Sequence, residues 1–424
     1  MRRRSKTNRR RRVVEKKKKQ FFFKDLSDEL LIEILIRLPS SKEATLCKSV
    51  CKRWFALISS DDFRKISLIH YRNCDKKTLI PFTFVSIDYN YFHYLTDDTD
   101  LYVSEFCPEN GFSRRVNSGF LNSDLPPMNY ISLIESCGDL ILCSGGTSDR
   151  IDYYIANVLT KQWFLLPRTL PRTPLESNTR FMSTSERVGF LIEPSSVDNA
   201  PCQYLVFRFI SWGDSKFSIH VFSSKKGNWT RMIVTSPRNL NMLSRRTSIV
   251  ACGRMFYTFI YERNDVVDCV LAFDPFTNDP SQILSVIDFP PEARDKPCLT
   301  CKLGVCGGRL RFAQIVLLPS RYLYPCISIW ELEDDYRTGK WTLVHQRVPT
   351  DAVFRVPTLA TKWVSVLTFH PYNEDLICFL VGNDHIVYNI QTDKVESSTL
   401  TSLFKKSLNV HVVPITRNWW PTSL

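Results

Sequence analysis

The chain has 424 residues, 44% of them hydrophobic and 12% aromatic, which is enough for a large core and more than one compact domain usually holds. Its formal net charge of +13 is almost wholly local: residues 1–20 carry twelve Lys or Arg against one acid, and residues 21–424 are near neutral at +2. That distribution removes any whole-protein charge argument for nucleic acid, and no run approaches the length of a membrane-spanning helix.

The opening MRRRSKTNRRRRVVEKKKKQ holds two basic blocks, Arg9, Arg10, Arg11, Arg12 and Lys16, Lys17, Lys18, Lys19, separated by Val-Val-Glu. Two short basic blocks suit a nuclear-import signal or a loose contact with phosphates. A disordered, solvated tail over 1–20 is the plainer alternative. The following Phe21-Phe22-Phe23 is too short for a signal-peptide core, so the fourteen Cys read as reduced thiols in nucleus or cytoplasm.

Residues 25–65 change character. Leu26, Leu30, Leu31, Ile34, Leu35 and Leu38 recur at three-to-four spacing, one apolar face of a helix. Ser27 caps its start, Asp28 and Glu29 place negative charge in the first turn, and Pro39 stops it. Ser40 with Glu43 forms a second capping box, and Ala44, Cys47, Val50, Cys51, Trp54, Leu57 and Ile58 mark another stripe. Two or three short helices in forty residues cannot cover their own stripes, so part of that surface should meet something else.

LSDELLIEILIRLP followed by VCKRWFALISSDDF resembles an F-box, the module by which substrate receptors dock on the Skp-type adaptor of Skp–cullin–F-box ubiquitin ligases. The resemblance implies a three-helix module in which Leu26, Leu30, Ile34, Leu38, Pro39, Val50, Cys51 and Trp54 face the adaptor or form the module core. Ser27 departs from the pattern, which usually has Pro there, and so puts docking at that end in question.

After a linker over 66–77, the rest of the chain (78–424) reads as β-structure. Short runs of Ile, Val, Phe, Tyr and Trp flank polar turns near Thr160-Lys161, Lys226-Gly227, Thr277-Asn278, Thr338-Gly339 and Thr392-Asp393. CGDLILCSG, ACGRMFYTFI and CGGRLRFAQI each put a glycine turn before an apolar strand. Four strands every 50–65 residues fit the blades of a β-propeller, and the length allows six. The run TLIPFTFVSIDYNYFHYL offers strands for the first blade, and Trp419-Trp420 either help close the ring or hang free. A β-sandwich, or two smaller β domains, is the alternative. The layout also resembles the kelch-related F-box-associated domain of plant F-box proteins.

Candidate chemistry is thin. Cys298-Leu-Thr-Cys301 with Cys306 is the one cluster at metal-like spacing, but it lacks a nearby His or second CxxC, so no metal or cofactor is expected. The seven His are dispersed, with His220 and His345 read as structural or surface residues, and no phosphate loop or nucleophile elbow is present. Trp163, Trp229 and Trp341 recur at one blade position, which suits a core role better than stacking on sugars or bases. The expectation is a non-catalytic substrate receptor that docks on a Skp-type adaptor, and through it a cullin, and holds a protein substrate with exposed loops of the β domain; loops 168–180 and 288–297, rich in Pro and charge, are the first to mutate. An F-box lectin and a nucleic-acid binder acting through the tail are the competing readings.

Overall fold

The computed structural model describes residues 26–38, 44, 46–60, 62–63, 66–67 and 70, and then 82–88, 101–107, 111–116, 130–147, 150–157, 162–173, 186–193, 203–211, 215–238, 249–261, 267–277, 279, 282–294, 298–318, 324–333, 339–349, 354, 364–382, 384–398 and 410–415. The chain divides into two compact units, Met1–His70 and Tyr71–Leu424.

In the first unit, α1 (Asp28–Leu35) starts where the sequence places it: extended Ser27 caps it, its hydroxyl accepting from the Leu30 N–H at 3.4 Å. The second stripe does not form one continuous helix. The chain turns at Lys48–Ser49, Cys51 is extended, and α2 (Lys52–Ser59) begins afresh without a side-chain cap. Pro39 and the Ser40–Glu43 capping box lie outside the described residues.

The described residues of the second unit form six antiparallel four-stranded sheets. Blade 1 joins β1 (Phe82–Asp88), β2 (Leu101–Cys107) and β3 (Gly111–Val116) to a strand from the other end of the chain, introduced last. Blade 2 is β4 (Tyr130–Cys137), β5 (Leu140–Thr147), β6 (Arg150–Asn157) and β7 (Gln162–Leu165). Blade 3 is β8 (Glu186–Glu193), β9 (Gln203–Ser211), β10 (Lys216–Ser223) and β11 (Asn228–Thr235). Blade 4 is β12 (Val250–Cys252), β13 (Met255–Tyr261), β14 (Val267–Phe273) and β15 (Leu284–Asp288), followed by the helical turn α3 (Pro291–Arg294). Blade 5 is β16 (Cys298–Cys306), β17 (Arg309–Leu318), β18 (Tyr324–Leu332) and β19 (Trp341–Arg347). Blade 6 is β20 (Val364–Phe369), β21 (Leu376–Val381), β22 (Asp384–Asn389) and β23 (Lys394–Ser398). Finally, β24 (Val410–Ile415) pairs with β1 and becomes the innermost strand of blade 1.

The innermost strands close a ring: β24 lies beside β4, β4 beside β8, β8 beside β12, β12 beside β16, β16 beside β20, and β20 beside β24. This is a six-bladed propeller around a central channel, as the strand count in the sequence predicts. Its two ends are locked together in one blade, which removes the loose sheet edge that an open ring would leave. The closing strand is β24, whereas Trp419-Trp420 lie outside the described residues.

The core sits between blades, where flat faces bury alternate residues of neighbouring sheets. Phe207 of blade 3 stacks on Phe256 of blade 4 with centroids 5.1 Å apart, and Phe289 and Trp341 close on Phe312 between blades 4 and 5. Two of the three repeated tryptophans, Trp229 and Trp341, share a polar contact. At the start of its outer strand, Trp229 donates its indole N–H to Pro167 O (2.8 Å) and Trp341 to Asp288 O (3.1 Å), each at the exit of the preceding blade. The glycine turns also form as read, with Gly138, Gly253 and Gly307 at positive φ.

The same ends of neighbouring innermost strands meet. The Ser136 hydroxyl donates to Pro414 O, Ile192 N–H to Cys137 Sγ (3.3 Å), Cys252 Sγ to Gly308 O (3.2 Å) and Gly307 N–H to Pro371 O (2.8 Å). All six therefore run the same way, and the ring has two unlike rims. One carries the turns from first to second and third to fourth strands. At the other, the crossover rim, each innermost strand of blades 2 to 6 begins. Thr83 pairs with Ile415, so the chain enters and leaves the ring at the rim opposite the crossovers.

Candidate functional site

The front module has two apolar faces. Leu31 and Leu35 of α1 are buried with Ile36, Ala44, Ile58 and Phe63, which form the module's own core. The neighbouring stripe, one residue earlier on the same helix, stays outside: Leu30 is 54% exposed and Ile34 44%. Leu46 (63%), Val50 (61%) and Phe55 (56%) are exposed as well. Leaving five large apolar side chains out in so small a module marks a contact surface rather than chance exposure.

Polar groups fix the helices beneath that surface. Arg53 of α2 reaches α1, donating from Nε to Asp28 Oδ1 (2.8 Å) and from a terminal nitrogen to Leu26 O (2.6 Å). Its second donor thus satisfies a carbonyl at the helix entrance. The Glu29 carboxyl is held below its usual value, first by a backbone hydrogen bond and then by the Ser27 hydroxyl, as expected of an acid at a helix start. Ser27 is therefore a working cap.

Of the residues singled out from sequence, Leu30, Ile34, Val50 and Cys51 are exposed, while Leu26, Leu38 and Trp54 are half-buried. Pro39 falls outside the described residues, as do Arg9–Arg12 and Lys16–Lys19 of the tail. The sequence reading missed Leu46 and Phe55. Both fall off the second stripe when it is drawn as one helix, and the turn at Lys48–Ser49 resets the phase and brings them out.

The remaining candidate chemistry does not assemble. Cys301 packs into the blade 4–blade 5 core and Cys306 into the blade 5–blade 6 core, so they face opposite sides of β16. Among the described residues no group of three or more His, Cys, Asp or Glu is placed to hold a metal ion. His220 is buried and accepts from Arg231 Nε at 2.9 Å, a structural role.

Two family models match this chain: the F-box domain over residues 23–66, and "F-box protein At3g26010-like, beta-propeller" over residues 95–407. The chain belongs to this family of F-box β-propeller proteins. The second match stops short of β1 and β24, the two strands that close the ring. An Arabidopsis thaliana protein provisionally named F-box/kelch-repeat protein At1g15680 is 25% identical over 328 residues, covering 76% of this chain and 72% of that one. A second, provisionally named F-box protein At3g23950, is 23% identical over 277 residues, and the match spans 61% of its length. Solved structures similar to this F-box protein include TolB from Acinetobacter baumannii (10% identity, TM-score 0.40, 84% of this chain and 72% of that one). Another is the six-bladed fungal lectin of Aleuria aurantia (11% identity, TM-score 0.36, 75% and 95%). At those scores no ligand transfers from either to this chain.

Proposed function

We propose that this protein is the substrate receptor of a Skp–cullin–F-box ubiquitin ligase. The observation that carries the reading is the exposed stripe of Leu30, Ile34, Leu46, Val50 and Phe55 on a module that matches the F-box. Burying the exposed half of such a side chain against an apolar partner contributes roughly 1 kcal/mol, less the cost of association. In this reading Leu30, Ile34, Val50 and Cys51, with Leu46 and Phe55, contact the Skp-type adaptor, and Leu26, Leu38, Pro39 and Trp54 shape the module beneath them.

The receptor does no chemistry of its own. It tethers a protein substrate near the ubiquitin-charged conjugating enzyme and so raises the effective concentration of the substrate's lysines. The substrate surface is built from the passages between blades. Segments 168–180 and 288–297, which include the described stretches 168–173 after blade 2 and 288–294 after blade 4, are the first candidates, because loops on a rigid scaffold are where recognition varies most freely. The described part of the first, 166–173, is anchored on blade 3 by the Trp229 bond to Pro167 O and by Arg231 donating to Pro171 O, and it leaves Arg168 and Arg172 exposed.

The lectin reading has less support, because Trp229 and Trp341 are buried with their N–H groups already bonded, which leaves neither face open to a sugar. The tail, with Arg9–Arg12 and Lys16–Lys19, acts in this reading as an import signal that brings the receptor to the nucleus. A fluorescent fusion lacking 1–20 should stay cytoplasmic while still capturing adaptor.

Affinity purification of wild type against a Leu30→Asp, Trp54→Ala double variant tests the receptor reading. Adaptor and cullin should vanish from the variant while other partners persist, and those partners are the substrate candidates. Adaptor retained by a folded variant would refute it.

A further inference from the structure

Positive charge gathers along the outer strand of blade 3. Residues 162–173 carry two Arg and residues 215–238 five Lys or Arg, and neither stretch contains an Asp or Glu, although the chain beyond its basic tail is near neutral. Arg238 is taken by Asp268 and Asp288 of blade 4, and Lys216 stands at the far end of β10. Two bonds draw the others together. Trp229 donates to Pro167 O at 2.8 Å and Arg231 donates to Pro171 O, so the passage 166–173 lies along β11 and brings Arg168 and Arg172 beside it. Lys225 and Lys226 form the turn that leads into β11. Both lysines are exposed, as are Arg168 and Arg172, and among the described residues no acid pairs with Arg168, Lys225 or Lys226.

An open strand edge and an apolar group adjoin these charges. β11 is the outermost strand of blade 3, so its outer backbone groups face no further strand of the sheet. Alternation puts Trp229, Arg231 and Ile233 on one face, the one turned to blade 2, where Trp229 packs in a core with Tyr153 and Leu166. Ile233 is left 63% exposed, the most open large apolar side chain among the described residues of the propeller.

We propose that this edge is a docking site for an extended acidic peptide. The peptide adds a strand along β11, sets carboxylates against Arg168, Arg172, Arg231 and the lysine pair, and covers Ile233 with an apolar side chain. Main-chain bonds to the edge accept many sequences, whereas the charges select an acidic one and repel a basic one. A nucleic-acid backbone meets the same cations but has no N–H groups to offer the carbonyls of a strand edge. The proposal rests on the receptor reading only in taking such a segment to be what a substrate presents. Peptide binding is measured without adaptor, so its failure leaves that reading standing.

The test is fluorescence anisotropy of the full chain with a labelled peptide of alternating Glu and Val. Its controls are Lys/Val and Glu/Pro peptides of equal length and a labelled uridine oligonucleotide, proline being unable to supply the N–H groups of a strand. The Glu/Val peptide should bind about tenfold or more tighter than any control, and its affinity should fall as salt rises. Joint Arg168→Glu, Lys225→Glu and Lys226→Glu should weaken it by about tenfold or more, and Ile233→Ser by about threefold. The proposal fails if a control binds as tightly, if the Glu/Val peptide does not bind at millimolar concentration, or if either variant binds it as wild type does. Should a variant fail to fold, the wild-type series against its controls decides alone.

Discussion

Two carboxylates on the propeller show how partners set the cost of enclosing a charge. Burial works against ionised Glu331, but Arg309 and Arg311 donate to it at 2.7 Å each, and its carboxyl ends below the usual value. Arg311 is almost wholly enclosed and continues to Glu374 of the next blade at 3.4 Å. Glu331→Gln strands that guanidinium and should cost about 3 kcal/mol in urea unfolding, whereas exposed Glu374→Gln should cost about 0–1 kcal/mol. Glu135 has only a distant Lys302, and burial wins. Its folded value of about 7 lies above the unfolded 4.5, so the native state holds a proton that the unfolded chain has released. Stability therefore falls as pH rises from about 4.5 to 7, by up to about 3 kcal/mol from this group. Glu135→Gln should flatten that part of the stability–pH curve, and an unchanged slope would contradict the assignment. None of these relations can be read from sequence, because Glu331 lies 20 residues from Arg311, and Lys302 influences Glu135 only because the ring sets blades 2 and 5 opposite each other.

Elements were more legible than contacts. Lys226-Gly227 and Thr392-Asp393 mark hairpins because left-handed turn residues stand between apolar runs, and Gly227 and Asp393 do adopt positive φ. The start of α1 was equally plain, since a cap, first-turn acids and periodicity agree. The second helical stripe was not, because its apolar residues run unbroken through Val50 and Cys51 and hide the restart at Lys52. Close approach between elements was also silent. At Gly304 the sequence suggests only a strand entering a glycine turn, yet blade 6 packs directly on its Cα. Gly304→Ala should destabilise by about 1–3 kcal/mol through displacement of Phe369, measurable as a lower midpoint at unchanged m-value.

For the whole molecule, the sequence carried the blade count and the order of modules, since both depend on periodicity and length. It could not assign rims. That distinction needs the strands to run in one direction around the ring, which rests on contacts such as Ser136 with Pro414 and Gly307 with Pro371. Thr83 and Ile415 then mark where the chain enters and leaves, at one rim. Exchanging 168–180 for a Gly/Ser linker of equal length should abolish substrate capture and leave adaptor binding intact, read by parallel pull-downs.

The receptor account depends most on the exposed helix stripe. Its direct test is calorimetric titration of a purified Skp-type adaptor into the full chain, wild type against Leu30→Asp, Ile34→Asp. Both side chains are exposed, so the variant should keep its melting temperature while its affinity falls by about 100-fold or more. A folded variant that binds the adaptor as tightly as wild type would contradict the account.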